Sequence, residues 1–226
     1  MTEPSFKAAA DHYDRQYFEF SSQSGDIIAR LQRFMFDEHV KPSDCVIDFG
    51  CGAGFMLREL GVARAIGVEI NAIAREVARQ NGVEIYSTLD QVPDAVADVV
   101  ISCHALEHVE NPLGELRKMH SKLKPDGKLV IVVPCDAPDL GFTASDRDFH
   151  LFSWGASNIG NLTRCANFEV LAAHEVRHRL PPKWLTIYNI LGFSAVDLAA
   201  RVSMVLPFKR RQVRLVARKQ STPQAG

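Results

Sequence analysis

Two groups of residues in this 226-residue chain have the types and spacing to do chemistry. The first is Asp48-Phe49-Gly50-Cys51-Gly52-Ala53-Gly54, entered from the apolar run Cys45 to Ile47. A second apolar run, Ala65 to Val68, ends on Glu69, nineteen residues after Gly50. That is the spacing at which a βαβ unit sets an acid beside a ribose held over the first loop. The loop is not the dinucleotide type, because Phe55 stands where its third glycine belongs and Gly54 comes one residue early. Alternating glycines leave bare backbone that a ligand can approach closely. Asp48 puts negative charge where a pyrophosphate would otherwise lie, so the ligand suited to this loop carries a nucleoside and a cationic or zwitterionic end.

The second group is His104-Ala105-Leu106-Glu107-His108. Read alone it matches the inverted zinc-protease pattern HxxEH. That pattern needs both histidines inside a long helix with a distant third ligand. Here the segment leaves a strand directly, and Pro112 follows four residues after His108. The protease reading is therefore set aside. Glu107 and His108 keep three readings: a cap that packs the loop, a metal-free base at His108, or a metal site. For the last, His104 and His150 are the further candidates, and two or three imidazoles with one carboxylate suit a transition metal better than magnesium.

The elements that must position these groups follow from the apolar pattern. Ile27, Ile28, Leu31, Phe34 and Met35 predict a helix over 25–39, broken by Pro42-Ser43-Asp44. Strands are predicted at Cys45–Phe49, Ala65–Glu69, Val83–Tyr86, Asp98–Ser102, Lys128–Val133, Phe168–Val176 and Gln212–Arg218. Helices are predicted from Gly54 to Leu60, from an Asn71 cap through Gln80, from Pro112 through Lys122, and from a Ser153 cap to Ala166. Lys124-Pro125-Asp126-Gly127 reads as a turn, and Asn167 as a left-handed helix terminator. Such alternation implies an α/β, doubly wound, mostly parallel sheet with helices on both faces, which binds ligands at the carboxyl ends of its strands.

Taken together, the Asp-x-Gly-x-Gly-x-Gly loop, Glu69, the segment Ser102 to Pro112, the turn Leu123 to Leu129, His150-Leu151-Phe152-Ser153 and Asn167 to Val170 resemble the class I S-adenosylmethionine-dependent methyltransferases. The likeness covers about residues 44–180 and is nearest to the small-molecule branch that includes the ubiquinone-biosynthesis O-methyltransferases. It implies a seven-stranded sheet whose last strand runs antiparallel, with S-adenosyl-L-methionine as cofactor. Asp48, Gly50, Cys51 and Gly52 would surround the methionine end. Glu69 would take the ribose hydroxyls, Ile70 would face the adenine, and Ser87, Thr88 and Leu89 would meet its edge. Cys103 and His104 would offer groups near the methionyl amine. Tyr13 or Tyr17 either closes over the cofactor or packs an N-terminal helix. In the O-methyltransferases an acid-x-x-Glu-His segment holds a divalent metal beside the acceptor oxygen, and this chain has His104 in the acidic position. Asp126 and Asn167 replace glycines of the family pattern, and both tolerate left-handed backbone.

Composition narrows the rest. A net charge of −1 and a pI near 6.7 give no footprint for nucleic-acid binding, which counts against an RNA 2′-O-methyltransferase. Five cysteines without a CxxC pair, and a polar N-terminus with no apolar signal run, point to a cytoplasmic protein without a disulfide framework. Cys51, beside a helix N-terminus, is either an activated thiol or a small residue filling space. The expected organisation is a helical cap (1–43), a cofactor-binding core (44–180), a helical insertion (181–207), the last strand (208–220) and a disordered tail (221–226). The insertion combines Trp184, Ile187, Ile190, Leu191, Leu198 and Val202 with an Asp197–Arg201 pair. It reads as a lid over the acceptor, a membrane-surface contact beside Lys209-Arg210-Arg211, or a dimer interface. The rival functions are a nucleotide-dependent oxidoreductase and a nucleoside-cofactor-binding protein without catalysis.

Overall fold

The computed structural model describes residues 24–136, 149–178, 180–181, 183–203 and 210–220. Helix α1 (Gly25–Gln32) leads into two single 3₁₀ turns and then strand β1 (Cys45–Phe49). There follow α2 (Phe55–Leu60), β2 (Arg64–Val68), α3 (Ala72–Gln80), β3 (Glu84–Tyr86) and β4 (Ala97–Cys103). Next come α4 (Pro112–Lys122), β5 (Leu123–Asp136), α5 (Ala156–Cys165) and β6 (Phe168–Val176). The chain closes with α6 (Trp184–Leu191), α7 (Phe193–Ser203) and β7 (Arg210–Lys219). The seven strands form one sheet in the order β3-β2-β1-β4-β5-β7-β6. All neighbours are parallel except β7, which runs antiparallel to both β5 and β6.

Two apolar layers hold the sheet. Ile47, Val100, Ile131 and Leu215 point to one face, and Val46, Val99, Val130 and Val216 to the other. Both faces are covered, which is why the central strands read as unbroken apolar runs without alternation. Residue by residue, β1, α4 and β6 have the bounds their sequence predicts. Asn71 caps α3 as expected, its side chain accepting from the Ile73 and Ala74 amides at 2.8 and 3.0 Å. Asn167 ends the α5 region at φ 66°.

Three local expectations are corrected. The helix over 25–39 stops at Gln32 and continues as tight turns at Arg33–Met35 and Asp37–His39. Consecutive Met35 and Phe36 are both fully buried, and the change of winding turns both inward. Helix α5 begins at Ala156 rather than after Ser153: the buried Trp154 donates its amide to the Pro134 carbonyl at 3.0 Å, which keeps 153–155 out of the helix. Gly155 is the cap instead, its amide held by the Asn158 side chain at 2.7 Å. The Lys124–Gly127 turn is a bulge within β5, since Leu123 pairs with Ala97 and Lys128 with Val99, while Asp126 takes φ 61°.

The insertion is a pair of helices joined at Gly192 (φ 78°). Helix α7 buries Val196 and Ala200, and the Arg30 guanidinium of α1 lies over the Phe193 ring at 3.9 Å. Asp197 and Arg201 form the expected pair at 2.9 Å. Among the described residues no helix is long and apolar enough to cross a membrane.

Candidate active site

The glycine loop leaves β1 at the carboxyl rim with Gly50, Gly52 and Gly54 at φ 77°, 53° and 76°. The amides of Gly50 and Cys51 both bond the Val68 carbonyl, at 2.8 and 3.2 Å, which ties the loop to the end of β2. The three glycines serve different ends. A Cβ on Gly50 would lie 2.3 Å from the Ala105 Cβ, and one on Gly54 would lie 2.7 Å from Val83. A Cβ on Gly52 would meet nothing within 4 Å. Gly50 and Gly54 are thus packing positions, whereas Gly52 borders the open space a ligand needs.

Glu69 braces this loop. Its carboxylate accepts the Gly52 amide at 2.9 Å through one oxygen and the Asn71 amide at 2.8 Å through the other. Each oxygen keeps a second lone pair for a ribose hydroxyl. Burial raises the Glu69 pKa above the ordinary carboxylate value, and the amide bonds pull it back. Asp48, only 4% exposed, is pushed up to about 7 by burial first and by the charge of Glu69 second. A cationic ligand end would return it to the ionised form. Next to Glu69, Ile70 is 57% exposed, an aliphatic surface left bare beside that carboxylate.

The remaining expected cofactor positions are less uniform. Ser87 turns its amide and hydroxyl to the Gln91 side chain at 2.9 and 3.0 Å. Thr88 lies extended at the start of the next 3₁₀ turn. The Leu89 side chain is buried in the core, so only its backbone can meet an adenine edge. Cys51 packs against Gly67, where a Cβ would lie 2.5 Å from its sulfur. Burial, then Asp48 and Glu69, pushes the Cys51 thiol well up, so it fills space and is not an activated nucleophile. Cys103 is likewise pushed up by burial, its sulfur 3.9 Å from the Gln32 side-chain oxygen. Tyr13 and Tyr17 lie outside the described residues. Two helpers carried no signal in the sequence: Asn81 donates to the Ala53 carbonyl at 2.8 Å, and Arg75 to the Glu69 carbonyl at 2.9 Å.

The second cluster sits on the same rim after β4. His104 takes φ 53° and donates its amide to the Val132 carbonyl at 2.9 Å. Glu107 is fully buried, and neither carboxylate oxygen has a hydrogen-bond partner among the described residues. Around its Oε1 stand His104 Nδ1 at 3.3 Å, His108 Nε2 at 3.7 Å and His150 Nε2 at 4.0 Å. The Glu107 carbonyl receives the amides of Leu151 and Phe152 at 2.9 and 3.2 Å, which fastens the His150 segment to this turn. The His108 and His150 rings meet edge to face at 5.1 Å. His108 Nδ1 lies 3.4 Å from the Phe149 carbonyl, an arrangement that assigns the proton to Nδ1 and leaves Nε2 facing Glu107. Burial, ahead of the other influences, lowers the His108 pKa, so the ring is neutral near pH 7.

An imidazole nitrogen and a carboxylate oxygen that face each other across 3.7 Å in a buried place are both donors a cation can use. Donor atoms of Glu107, His108 and His150 all lie within 4.8 Å of one another. The residues therefore fit a divalent metal, with His104 close to Glu107 but outside that trio. Away from both groups, an open cleft of about 840 Å³ is lined by Phe34, Glu38, Glu175, Arg177 and Arg214. Its charges answer one another, Arg214 with Glu38 at 2.9 Å and Arg177 with Glu175 at 2.6 Å.

A family model described as a methyltransferase domain matches residues 13–173. The ribosomal protein L11 methyltransferase of Burkholderia vietnamiensis (strain G4 / LMG 22486) is 33% identical over 111 residues, 45% of this chain and 36% of that protein. The chain thus aligns with only about a third of the length of this curated relative. Among solved structures, an S-adenosylmethionine dependent methyltransferase from Mesorhizobium loti superposes with a TM-score of 0.58 at 18% identity, covering 85% of this chain and all of that one. The 4+2 cyclase SpnF superposes with a TM-score of 0.64 at 19% identity, covering 86% of this chain and 81% of that one. The oxidoreductase alternative falls with these matches. With the family model spanning well over half its length, the glycine loop and Glu69 in place, and β7 antiparallel in a seven-stranded sheet, the chain belongs to the class I S-adenosylmethionine-dependent methyltransferases.

Proposed function

We propose that the chain transfers the methyl group of S-adenosyl-L-methionine to the oxygen of a small-molecule or lipid-like acceptor, as in the branch of the ubiquinone-biosynthesis O-methyltransferases. The observation that carries this reading is the buried Glu107 carboxylate ringed by imidazoles on the rim beside the glycine loop. Displacement at a sulfonium needs no acid at the leaving group, because sulfur departs neutral. Rate comes from holding the acceptor in line with the methyl carbon. An amine acceptor would need no further group, whereas a hydroxyl must lose its proton. Neutral His108 supplies a basic Nε2, and Glu107 stabilises the charge as that proton arrives. Asp48 and the bare loop at Gly52 receive the methionine end, Glu69 the ribose, and Ile70 the adenine.

Glu107, His108 and His150 are the residues that would hold a divalent metal, and His104 would orient Glu107. A bound metal would supply Lewis acidity, lowering the pKa of the acceptor hydroxyl. The experiment is turnover before and after chelation. Loss of activity restored by zinc or manganese supports the metal. Activity that survives chelation and falls through a single titration at low pH supports His108 as a metal-free base.

The L11 relative brings a second acceptor class, a protein. Its likeness spans less than half of this chain, so it bears on the cofactor half more than on the choice of acceptor. The cyclase on the same fold is a reminder that fold alone does not fix the reaction. A chain that binds cofactor and methylates no acceptor would revive the binding-only reading.

A further inference from the structure

The near-neutral whole-chain charge hides a sharp internal division. Between residues 177 and 214 stand eight Lys and Arg against the single acid Asp197, a surplus of seven. The rest of the chain carries eighteen Lys and Arg against twenty-six acids, a deficit of eight. Glu175 and Glu38 pair with Arg177, Arg211 and Arg214, and Asp136 lies opposite Arg210 in the strand register. Counting all three of those acids against the segment still leaves an excess of four positive charges.

The same segment leaves aliphatic side chains in water. Ile190, Leu191 and Leu198 are 73%, 67% and 64% exposed, and Leu185 and Val202 are also exposed. Leu198 and Val202 are one turn apart on α7, whose Val196 and Ala200 are buried. Lys183 and Arg201 are exposed on the same helix pair. Topology fixes where this lies. β6 runs parallel to β5 and β7 antiparallel to both, so the chain leaves at Val176 and returns at Arg210 on the carboxyl rim. That is the rim of the glycine loop and of Glu107.

From this juxtaposition we infer that the α6–α7 pair docks on an anionic lipid bilayer, with its aliphatic side chains in the headgroup and acyl boundary and the cations of its segment, Lys183 and Arg201 among them, on lipid phosphates. Exposed aliphatics framed by Lys and Arg are the recognition chemistry of an anionic interface. A nucleic acid would use the cations and leave the aliphatics idle. A second copy docking through this face would bring two positive surfaces together. Docking here would present the site rim to an acceptor held in the bilayer. Vesicle binding is read without turnover, so the inference stands or falls separately from the methyl-transfer reading.

The test is co-sedimentation of the full chain with phosphatidylcholine vesicles, with and without phosphatidylglycerol. The wild type should pellet with the anionic vesicles and stay in solution with the neutral ones. Ile190→Ser with Leu198→Ser should lower the partition about tenfold or more, at the usual cost per buried methylene. Lys209→Glu with Arg210→Glu should lower it about fivefold per cation removed, and added salt should do the same to the wild type. Each single aliphatic substitution is the fallback if the double variant misfolds, and unchanged S-adenosylhomocysteine binding certifies the fold. No pelleting of the wild type overturns the inference. So does pelleting that the aliphatic substitutions leave untouched, which would mark a general polyanion site such as one for RNA. Aliphatic-dependent self-association in light scattering, without vesicle binding, overturns it too.

Discussion

The two halves of the rim treat their acids differently. On the glycine-loop side, Glu69 spends each oxygen on a backbone amide, and the loop is further tied to Val68. On the histidine side, Glu107 is buried more completely, and its carboxylate receives no hydrogen bond from any described residue. The first arrangement is finished before a ligand arrives, and a nucleoside need only add to it. The second surrounds a buried carboxylate with three imidazoles and gives it no backbone amide.

The largest expected effect separates the halves most cleanly. His108→Ala should cut methyl transfer by about 10²–10⁴-fold, the usual scale for loss of a general base. S-adenosylhomocysteine affinity in calorimetry should stay unchanged. Full activity in that variant would reject both the base and the metal, and would favour an amine acceptor.

Glu69→Ala tests the finished half. Losing charge-assisted hydrogen bonds to the ribose should weaken cofactor binding by roughly 1.5–3 kcal/mol. Unchanged affinity in titration calorimetry would end the assignment of the ribose acid.

Asp48 sharpens the comparison through pH. Its folded-state pKa near 7 lies above the ordinary value of 3.8. The folded state therefore holds this proton more tightly than the unfolded chain does. The stability this gives is full below about pH 4 and is lost as pH rises through 7. Cofactor binding should run the other way, weakening below pH 7 as Asp48 gains a proton and can no longer meet an ammonium. Asp48→Asn should flatten both trends, in thermal melts of the free protein and in calorimetry across pH. A slope that persists in the variant would place the titrating group elsewhere.

The smallest effect is structural. Asn71→Ala removes the cap of α3 and should cost about 1 kcal/mol of stability in denaturant unfolding. It should leave His108-dependent turnover unchanged.

Legibility followed the range of the forces involved. The buried strands, the Asn71 cap and the left-handed Asn167 depend on neighbours in sequence and were readable there. The glycine loop and Glu69 could be paired because a βαβ unit has a nearly fixed length. What escaped depends on distant contacts. Nothing local shows that Trp154 keeps 153–155 out of the helix, or that the Phe149 carbonyl sets the His108 proton. His150 was readable only as a candidate, since its approach to Glu107 rests on two amide bonds across forty-odd residues. The opposed charges of residues 177–214 and the remainder were invisible to a count over the whole chain.

One contact joins the two halves. The hydrogen on Gly50 stands where any larger group would strike the Ala105 methyl, and Ala105 lies between His104 and Glu107. A ligand that shifts the glycine loop must therefore shift the segment bearing the histidines. Linkage makes such coupling reciprocal: whatever factor cofactor occupancy applies to acceptor affinity, the acceptor applies to the cofactor. Any such coupling would pass through the clearance between a hydrogen and a methyl group.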